Sequence, residues 1–187
     1  MNSTSFDITP GKKLLHITSI ETPLGKMQAA AFHDGICLLE FNDEPLHISE
    51  YSKIFKFLNL EISEDKNKFF DILRFQLSEY SNGKRKEFSV PLKLVGSDFQ
   101  LQVWNILRKI PYGTIQTYKQ QAVNLNHPGA IRAMAQANGQ NPIAIIIPCH
   151  RVIGTGGKLV GYHCGLWRKK WLLEHERINS PLIGKLL

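Results

Sequence analysis

Ile143-Ala144-Ile145-Ile146-Ile147-Pro148-Cys149-His150-Arg151-Val152 is the stretch on which the reading of this chain turns. A short apolar run closed by proline predicts a buried strand that stops abruptly. The first residue past the stop is a cysteine and the next a histidine. A thiol attacks carbon as the thiolate, so it needs a neighbour that takes its proton. Imidazole is the side chain best suited to that near neutral pH. The stretch therefore predicts an activated nucleophile, Cys149, presented at the end of a rigid element with His150 as its proton acceptor.

Upstream of this stretch the pattern is helical. Ser97-Asp98-Phe99-Gln100 is a capping box, in which the serine and glutamine side chains satisfy orphan amides reciprocally. Phe99, Val103, Ile106 and Ile110 then fall on one face, and Pro111-Tyr112-Gly113 ends the helix. Thr117-Tyr118-Lys119-Gln120 is a second capping box that opens a short helix to about Leu125. Pro128 is expected at the first position of a third helix, which ends at Gly139. Two short helices joined by a turn predict a helix-turn-helix, a device for entering a DNA groove. Downstream, Gly154-Thr155-Gly156-Gly157 between Val152-Ile153 and Leu159-Val160 predicts a hairpin, the wing of a winged helix-turn-helix. A last helix is expected over Leu166–Arg177.

Before residue 95 the period is that of strands. Leu14–Ile20, the turn Thr22-Pro23-Leu24-Gly25, Met27–Phe32, and Ile36–Phe41 after His33-Asp34-Gly35 predict a strand followed by a hairpin. Residues 65–81 predict a helix with Phe69, Phe70, Ile72, Leu73, Phe75, Gln76, Leu77 and Tyr80 mainly toward one side, closed by Ser81-Asn82-Gly83. Phe88–Leu92 reads as a short extended piece. The grammar changes near Gly96, which divides the chain into domains 1–94 and 95–187. The fold class expected is α/β (α+β): a sheet-and-helix domain followed by a helical one.

Charge follows the same division. The net charge is +7. Residues 1–94 carry 12 Lys/Arg against 13 Asp/Glu, whereas residues 95–187 carry 11 against 3. The whole excess sits in the second half, which points to a polyanion partner such as nucleic acid. No apolar run reaches the 18 or so residues of a membrane helix, and Met1-Asn2-Ser3-Thr4-Ser5-Phe6-Asp7 lacks the order of a signal peptide. Three cysteines (Cys37, Cys149, Cys164) fit reduced thiols in the cytoplasm better than a disulfide framework. His33 and Cys37 alone make too few ligands for zinc, so no metal is expected.

These residues carry a resemblance. Pro148-Cys149-His150-Arg151-Val152, preceded by Arg132-Ala133-Met134 and Asn141-Pro142, is similar to the O6-alkylguanine-DNA alkyltransferase (methylated-DNA–protein-cysteine methyltransferase) family. Pro111-Tyr112-Gly113-Thr114 and Tyr118 match upstream. Gly161-Tyr162, Gly165-Leu166 and Trp171–Glu176 match downstream. The resemblance implies a ribonuclease-H-like N-terminal domain. It also implies stoichiometric transfer of an alkyl group from O6-alkylguanine, and from O4-alkylthymine, in double-stranded DNA to Cys149, by a monomer without cofactor. Within that family His150 takes the thiol proton, a water links it to Glu176, and Asn141 braces the turn around the cysteine. Tyr118, Asn138, Val152, Tyr162, His163 and Cys164 are the implied substrate-binding residues. Ala130, Arg132, Ala133 and Arg151 are the implied DNA contacts, with Arg132 filling the gap left by a base rotated out of the duplex. Gly129, Ala130, Ala133, Ala135 and Ala137 would make a thin helix suited to a narrow groove.

One departure stands out. The family follows its pocket tyrosine with small residues, whereas this chain reads Gly161-Tyr162-His163-Cys164-Gly165-Leu166. His163 and Cys164 are expected to narrow the pocket, and the second thiol opens the possibility of a disulfide with Cys149. Three other readings fit parts of the sequence: a lesion binder without transfer, a winged-helix regulator sensing redox through Cys149, and a cysteine hydrolase.

Overall fold

The structure is a computed structural model that describes residues 13–42, 59–64 and 67–180. Residues 1–7, read above for a leader, and the first two positions of the helix expected over 65–81 lie outside the described residues.

Alternation and tight turns build the first sheet. β1 (Lys13–Thr22), β2 (Gly25–Phe32) and β3 (Gly35–Phe41) form an antiparallel meander. Thr22 fixes the first turn: Leu24 N donates to its Oγ1 at 3.2 Å, and that hydroxyl donates to Gly25 O at 2.6 Å. β4 (Leu60–Ser63) adds parallel to β1, giving the order β3-β2-β1-β4. This fourth strand was not foreseen, because it pairs Lys13 with Leu60, far apart in the chain, and no turn announces it. α1 (Lys68–Ser81) packs across β1 and β2. It buries Phe70, Leu73 and Leu77, each contributing about 1.5–3 kcal/mol of burial.

β3 is an edge strand, and exposed edges invite wrong pairing. Two later segments cover it. Ile36 N donates to Pro91 O and Lys93 N to Ile36 O, both at 2.8 Å. Leu39 N donates to Pro142 O at 2.8 Å and Ala144 N to Leu39 O at 2.7 Å. The buried Gln76 clamps the first segment through Ser89 Oγ (2.7 Å), Ser89 N (3.0 Å) and Val90 N (3.2 Å). The sheet thus anchors the start of the loop that leads to Cys149.

The second half is helical. α2 (Asp98–Leu107), β5 (Gln116–Thr117), α3 (Tyr118–Asn124) and α4 (Ile131–Gly139) precede a 3-10 turn at Cys149–Arg151, β6 (Val152–Ile153) and α5 (Leu166–Ile178). Both capping boxes form as read. Trp104 of α2 donates through Nε1 to Ala137 O of α4 at 2.9 Å. A Cβ on Gly96 would sit 2.7 Å from the Trp104 ring, so the approach there requires glycine. Gln121 and Asn138 join α3 to α4 by a reciprocal buried amide pair (3.1 and 2.8 Å).

Three expectations are corrected. Ile143–Ile147 is not a strand. Its residues make turns, with Ile147 N bonded to Ile143 O at 3.0 Å and Ile145 at φ +70°. A buried turn is tolerable because Leu39 and Asn141 satisfy its polar groups. The expected hairpin at 152–160 is absent: Val152 and Ile153 pair in parallel with Gln116 and Thr117. Residues Thr155–Gly157 form a 3-10 turn, closed by Gly154 N to Lys158 O at 2.8 Å. The wing is therefore a loop. Pro128 lies in the turn before α4, which begins at Ile131.

Candidate active site

The turn that carries Cys149 is organised by Asn141. Its Nδ2 donates to Ile147 O at 2.8 Å and to Cys149 Sγ at 3.2 Å, while its Oδ1 accepts from Ile143 N at 3.1 Å. One buried amide therefore closes the loop and touches the sulfur. Ile145 at φ +70° is unfavourable for a β-branched residue, and such strain persists only where surroundings enforce it. Cys149 is 6% exposed.

Next to it, His150 is wholly buried, and its Nε2 lies 2.9 Å from Glu176 Oε1. The contact is direct. The water expected between histidine and glutamate has no place there, because α5 brings the carboxylate to hydrogen-bond distance. Glu176 is 1% exposed and accepts four further bonds. Arg151 forks onto it through Nε to Oε2 (2.8 Å) and Nη2 to Oε1 (2.9 Å). Tyr80 Oη donates to Oε1 at 2.8 Å, and Gly113 N to Oε2 at 3.0 Å. A fork of this kind is among the stronger protein hydrogen bonds. Gly113 has φ +72°, and a Cβ there would meet Ser180 at 2.6 Å, so glycine is needed.

Charge states follow. Burial works against the Glu176 anion, but His150 and Arg151 hold its carboxyl well below the usual carboxylate range. An ionised carboxylate only accepts, so Nε2 of His150 carries the hydrogen and Nδ1 keeps its lone pair. Burial lowers the His150 pKa despite Glu176, leaving the imidazole neutral near pH 7. Nδ1 is buried without a hydrogen-bond partner among the described residues. Burial pushes the Cys149 thiol up to about 11, with Asn141 and the Lys169 ammonium pulling the other way. The resting pair is therefore thiol and neutral imidazole, with one free basic nitrogen.

The structure brings most of the other expected residues to this place. Tyr118 opens α3, and a Cβ on Gly161 would lie 3.2 Å from its hydroxyl. Burial raises the Tyr118 phenol, and ionised Cys149 would raise it further. Tyr162 is raised well above its ordinary value by burial and then by both Cys149 and Cys164. Cys164 is buried, its sulfur 3.6 Å from both ring nitrogens of His163. His163 turns toward β3, with Nε2 3.5 Å from Glu40 Oε1. Cys164 and Glu40 raise its pKa to about 10 against the effect of burial. Arg132 and Ala133 are exposed on α4, and Ala130 is half-buried at its start. Positions 129 and 139 have open space around them.

Three of the expected residues are engaged by other partners. Arg151 was expected on DNA, but it is buried, forked onto Glu176 and bonded to Ile110 O at 2.6 Å. Its guanidinium is spent on the carboxylate. Asn138 was expected to bind substrate, but Gln121 occupies its amide. Val152 has a buried side chain, and its carbonyl accepts from Lys169 Nζ at 2.6 Å.

Sequence reasoning missed Lys169, Gly113 as a donor, and Tyr80. Lys169 is buried and also donates to Val160 O (2.7 Å) and Gly161 O (3.2 Å), fixing the loop beside Tyr162. Burial lowers its pKa to about 8. A lysine inside Trp167-Arg168-Lys169-Lys170 reads as solvated charge. Only its place on the inner side of α5 separates it from Lys170.

Known proteins share this architecture. Residues 98–178 match the 6-O-methylguanine DNA methyltransferase DNA-binding domain, and residues 15–94 the ribonuclease-like domain of the same family. A methylated-DNA–protein-cysteine methyltransferase of Methanosarcina barkeri is 43% identical over 160 residues, covering 86% of this chain and 96% of that protein. The crystal structure of the Mycobacterium tuberculosis O6-methylguanine methyltransferase superposes with a TM-score of 0.76 at 38% identity, covering 90% of this chain and 96% of that one. A structure of the same organism's protein in complex with DNA gives 0.74 at 36% identity, covering 91% and 96%. Among the described residues no helix is long and apolar enough to cross a membrane. With two matched domains, near-complete coverage of the Methanosarcina barkeri and Mycobacterium tuberculosis proteins and a thiol, imidazole and carboxylate brought together in one buried site, this chain belongs to the methylated-DNA–protein-cysteine methyltransferase family.

Proposed function

We propose that this protein repairs alkylated DNA by moving the alkyl group of O6-alkylguanine, and of O4-alkylthymine, onto Cys149 in a single irreversible turnover. The observation that carries the reading is the arrangement Asn141–Cys149 and His150–Glu176, the buried cysteine turn met by the carboxylate of α5. The thiol proton passes to His150 Nδ1. The sulfur then attacks the alkyl carbon. An S–C bond forms, the C–O bond breaks, and the electron pair leaves with the guanine oxygen, where the departing base takes up a proton. Tyr118, kept protonated by burial, is the donor beside it. The imidazolium formed at His150 faces the Glu176 anion, which stabilises it at the moment charge develops. The product is a thioether, which has no leaving group that returns the thiol.

A base inside a duplex cannot reach a buried thiol, so the nucleotide rotates out. In this reading residues 95–187 are the DNA-binding and transfer unit, and residues 1–94 support it. The small residues of α4 enter the minor groove, and the exposed Arg132 fills the gap. Phosphate contacts from the basic half supply most of the affinity. The protein acts as a monomer in the cytoplasm.

Mass spectrometry after mixing with a duplex carrying O6-methylguanine tests this. One methyl group per molecule is expected, on the peptide containing Cys149, and none in Cys149→Ala, which still binds DNA. Methyl on another residue, or methyl transfer by Cys149→Ala, would overturn the assignment. Turnover of an ester or amide without retained methyl would favour a hydrolase.

A further inference from the structure

We infer that Tyr80, from the N-terminal unit, is a positioning residue for the transfer, setting the basicity of the Glu176–His150 pair. The inference rests on the transfer reading above and extends it to a residue 96 positions from the carboxylate. Tyr80 closes α1 and is 1% exposed. Its Oη donates to Glu176 Oε1 at 2.8 Å, the oxygen that also faces His150 Nε2 at 2.9 Å. A donor shared at that oxygen withdraws electron density from it and so weakens its pull on the imidazole proton. It also fixes the carboxylate rotamer.

The surroundings make Tyr80 a permanent donor. Burial raises its phenol well above the ordinary value, and Glu176 raises it further. Its ring is held by Tyr112 edge-on at 6.0 Å, Phe88 at 5.5 Å and His175 at 5.3 Å, and His175 Nε2 lies 2.7 Å from its backbone oxygen. The ring stays in place without the hydroxyl, so the hydroxyl can be tested alone. The charged and titratable groups around the pair are Arg151 and Cys149 from the turn, Lys169 from α5, Tyr112 from the loop after α2, and Tyr80 from α1. Among these, Tyr80 alone comes from the sheet domain, which gives that domain a part in the chemistry.

The test compares the parent with Tyr80→Phe. Removing the donor leaves Glu176 more basic, which favours the imidazolium, so the His150 pKa rises. Two readouts are taken: the His150 titration by NMR, and the single-turnover methyl-transfer rate against pH. We expect an upward shift in the His150 titration and a matching shift of the acidic limb of the rate profile. Tyr112→Phe, which removes a neighbouring hydroxyl with no partner among the described residues, is the comparison and should shift neither. An unshifted His150 titration in Tyr80→Phe overturns the inference, and so does a slower rate whose pH profile keeps its position. Should the parent itself transfer no methyl, the transfer reading falls and the inference with it.

Discussion

Glu176→Gln is the most demanding test of the buried site. The substitution keeps the shape and removes the charge. In the parent, one carboxylate satisfies Arg151 twice, Tyr80, Gly113 and His150 within 3.0 Å. An amide has one acceptor oxygen, and its NH2 group would face the Arg151 fork. The guanidinium would then be buried without its anion, keeping only Ile110 O at 2.6 Å. Removing one partner of a buried ion pair costs about 3–5 kcal/mol. That is a large part of a typical 5–15 kcal/mol stability. At roughly 2–4 °C per kcal/mol for a chain of this size, the melting midpoint should fall by about 10 °C. Circular dichroism melts measure it. The pH dependence supplies a second check. The Glu176 pKa is depressed below its unfolded value near 4.5, so its contribution is complete above that pH. It is lost as pH falls toward the folded value. The gap between parent and Glu176→Gln should therefore be at full width above about pH 5.5 and narrow progressively as pH falls below about 4.5 toward the depressed folded value. The double variant Arg151→Met with Glu176→Gln should be less destabilised than the two single losses added together, because no charge is left alone. A midpoint within about 2 °C of the parent, or strict additivity in the double variant, would refute the reasoning.

Three further outcomes are expected. Arg132→Ala should slow repair of duplex DNA far more than reaction with a free modified guanine base, since a free base needs no rotation; equal losses measured on both substrates would show another role for Arg132. Asn141→Ala should lower stability by about 1–3 kcal/mol through the unsatisfied Ile147 carbonyl and slow transfer as well, measured by urea melts and single-turnover kinetics; an unchanged rate would remove Asn141 from the site. Benzylguanine should react more slowly than methylguanine by roughly one to two orders of magnitude, given about 1–3 kcal/mol of strain from added bulk. Because His163 turns toward Glu40 while Cys164 stays buried, Cys164→Gly alone should recover most of the rate that His163→Ala with Cys164→Gly recovers. Equal benzylguanine rates in the parent and the double variant would end the steric argument.

What the sequence determined by itself is local. Ser97 with Gln100 and Thr117 with Gln120 form capping boxes because each needs only four residues and the backbone between them. The turns at Leu24 and Asp34 are legible for the same reason, spacing along the chain being spacing in space, whereas Ile72 and Phe75, read onto the apolar side of α1, are exposed. The adjacency of Cys149 and His150 was likewise visible, and Glu176 was placed on the last helix through family resemblance. Only the tertiary structure decided which partners those residues meet. Arg151 reads as a surface cation until Glu176, 25 positions on, takes its fork. Lys169 and Lys170 are alike in sequence, and the packing of α5 buries one and exposes the other. Ile143–Ile147 has the composition of a strand but folds as turns, because Leu39 of a distant edge strand takes its hydrogen bonds. Tyr80 had the pattern of a core aromatic, which it is; its hydroxyl meets Glu176 across 96 residues. Charge, burial and hydrogen bonding depend on what stands within a few ångströms, and that is set by the packing of elements far apart in the chain.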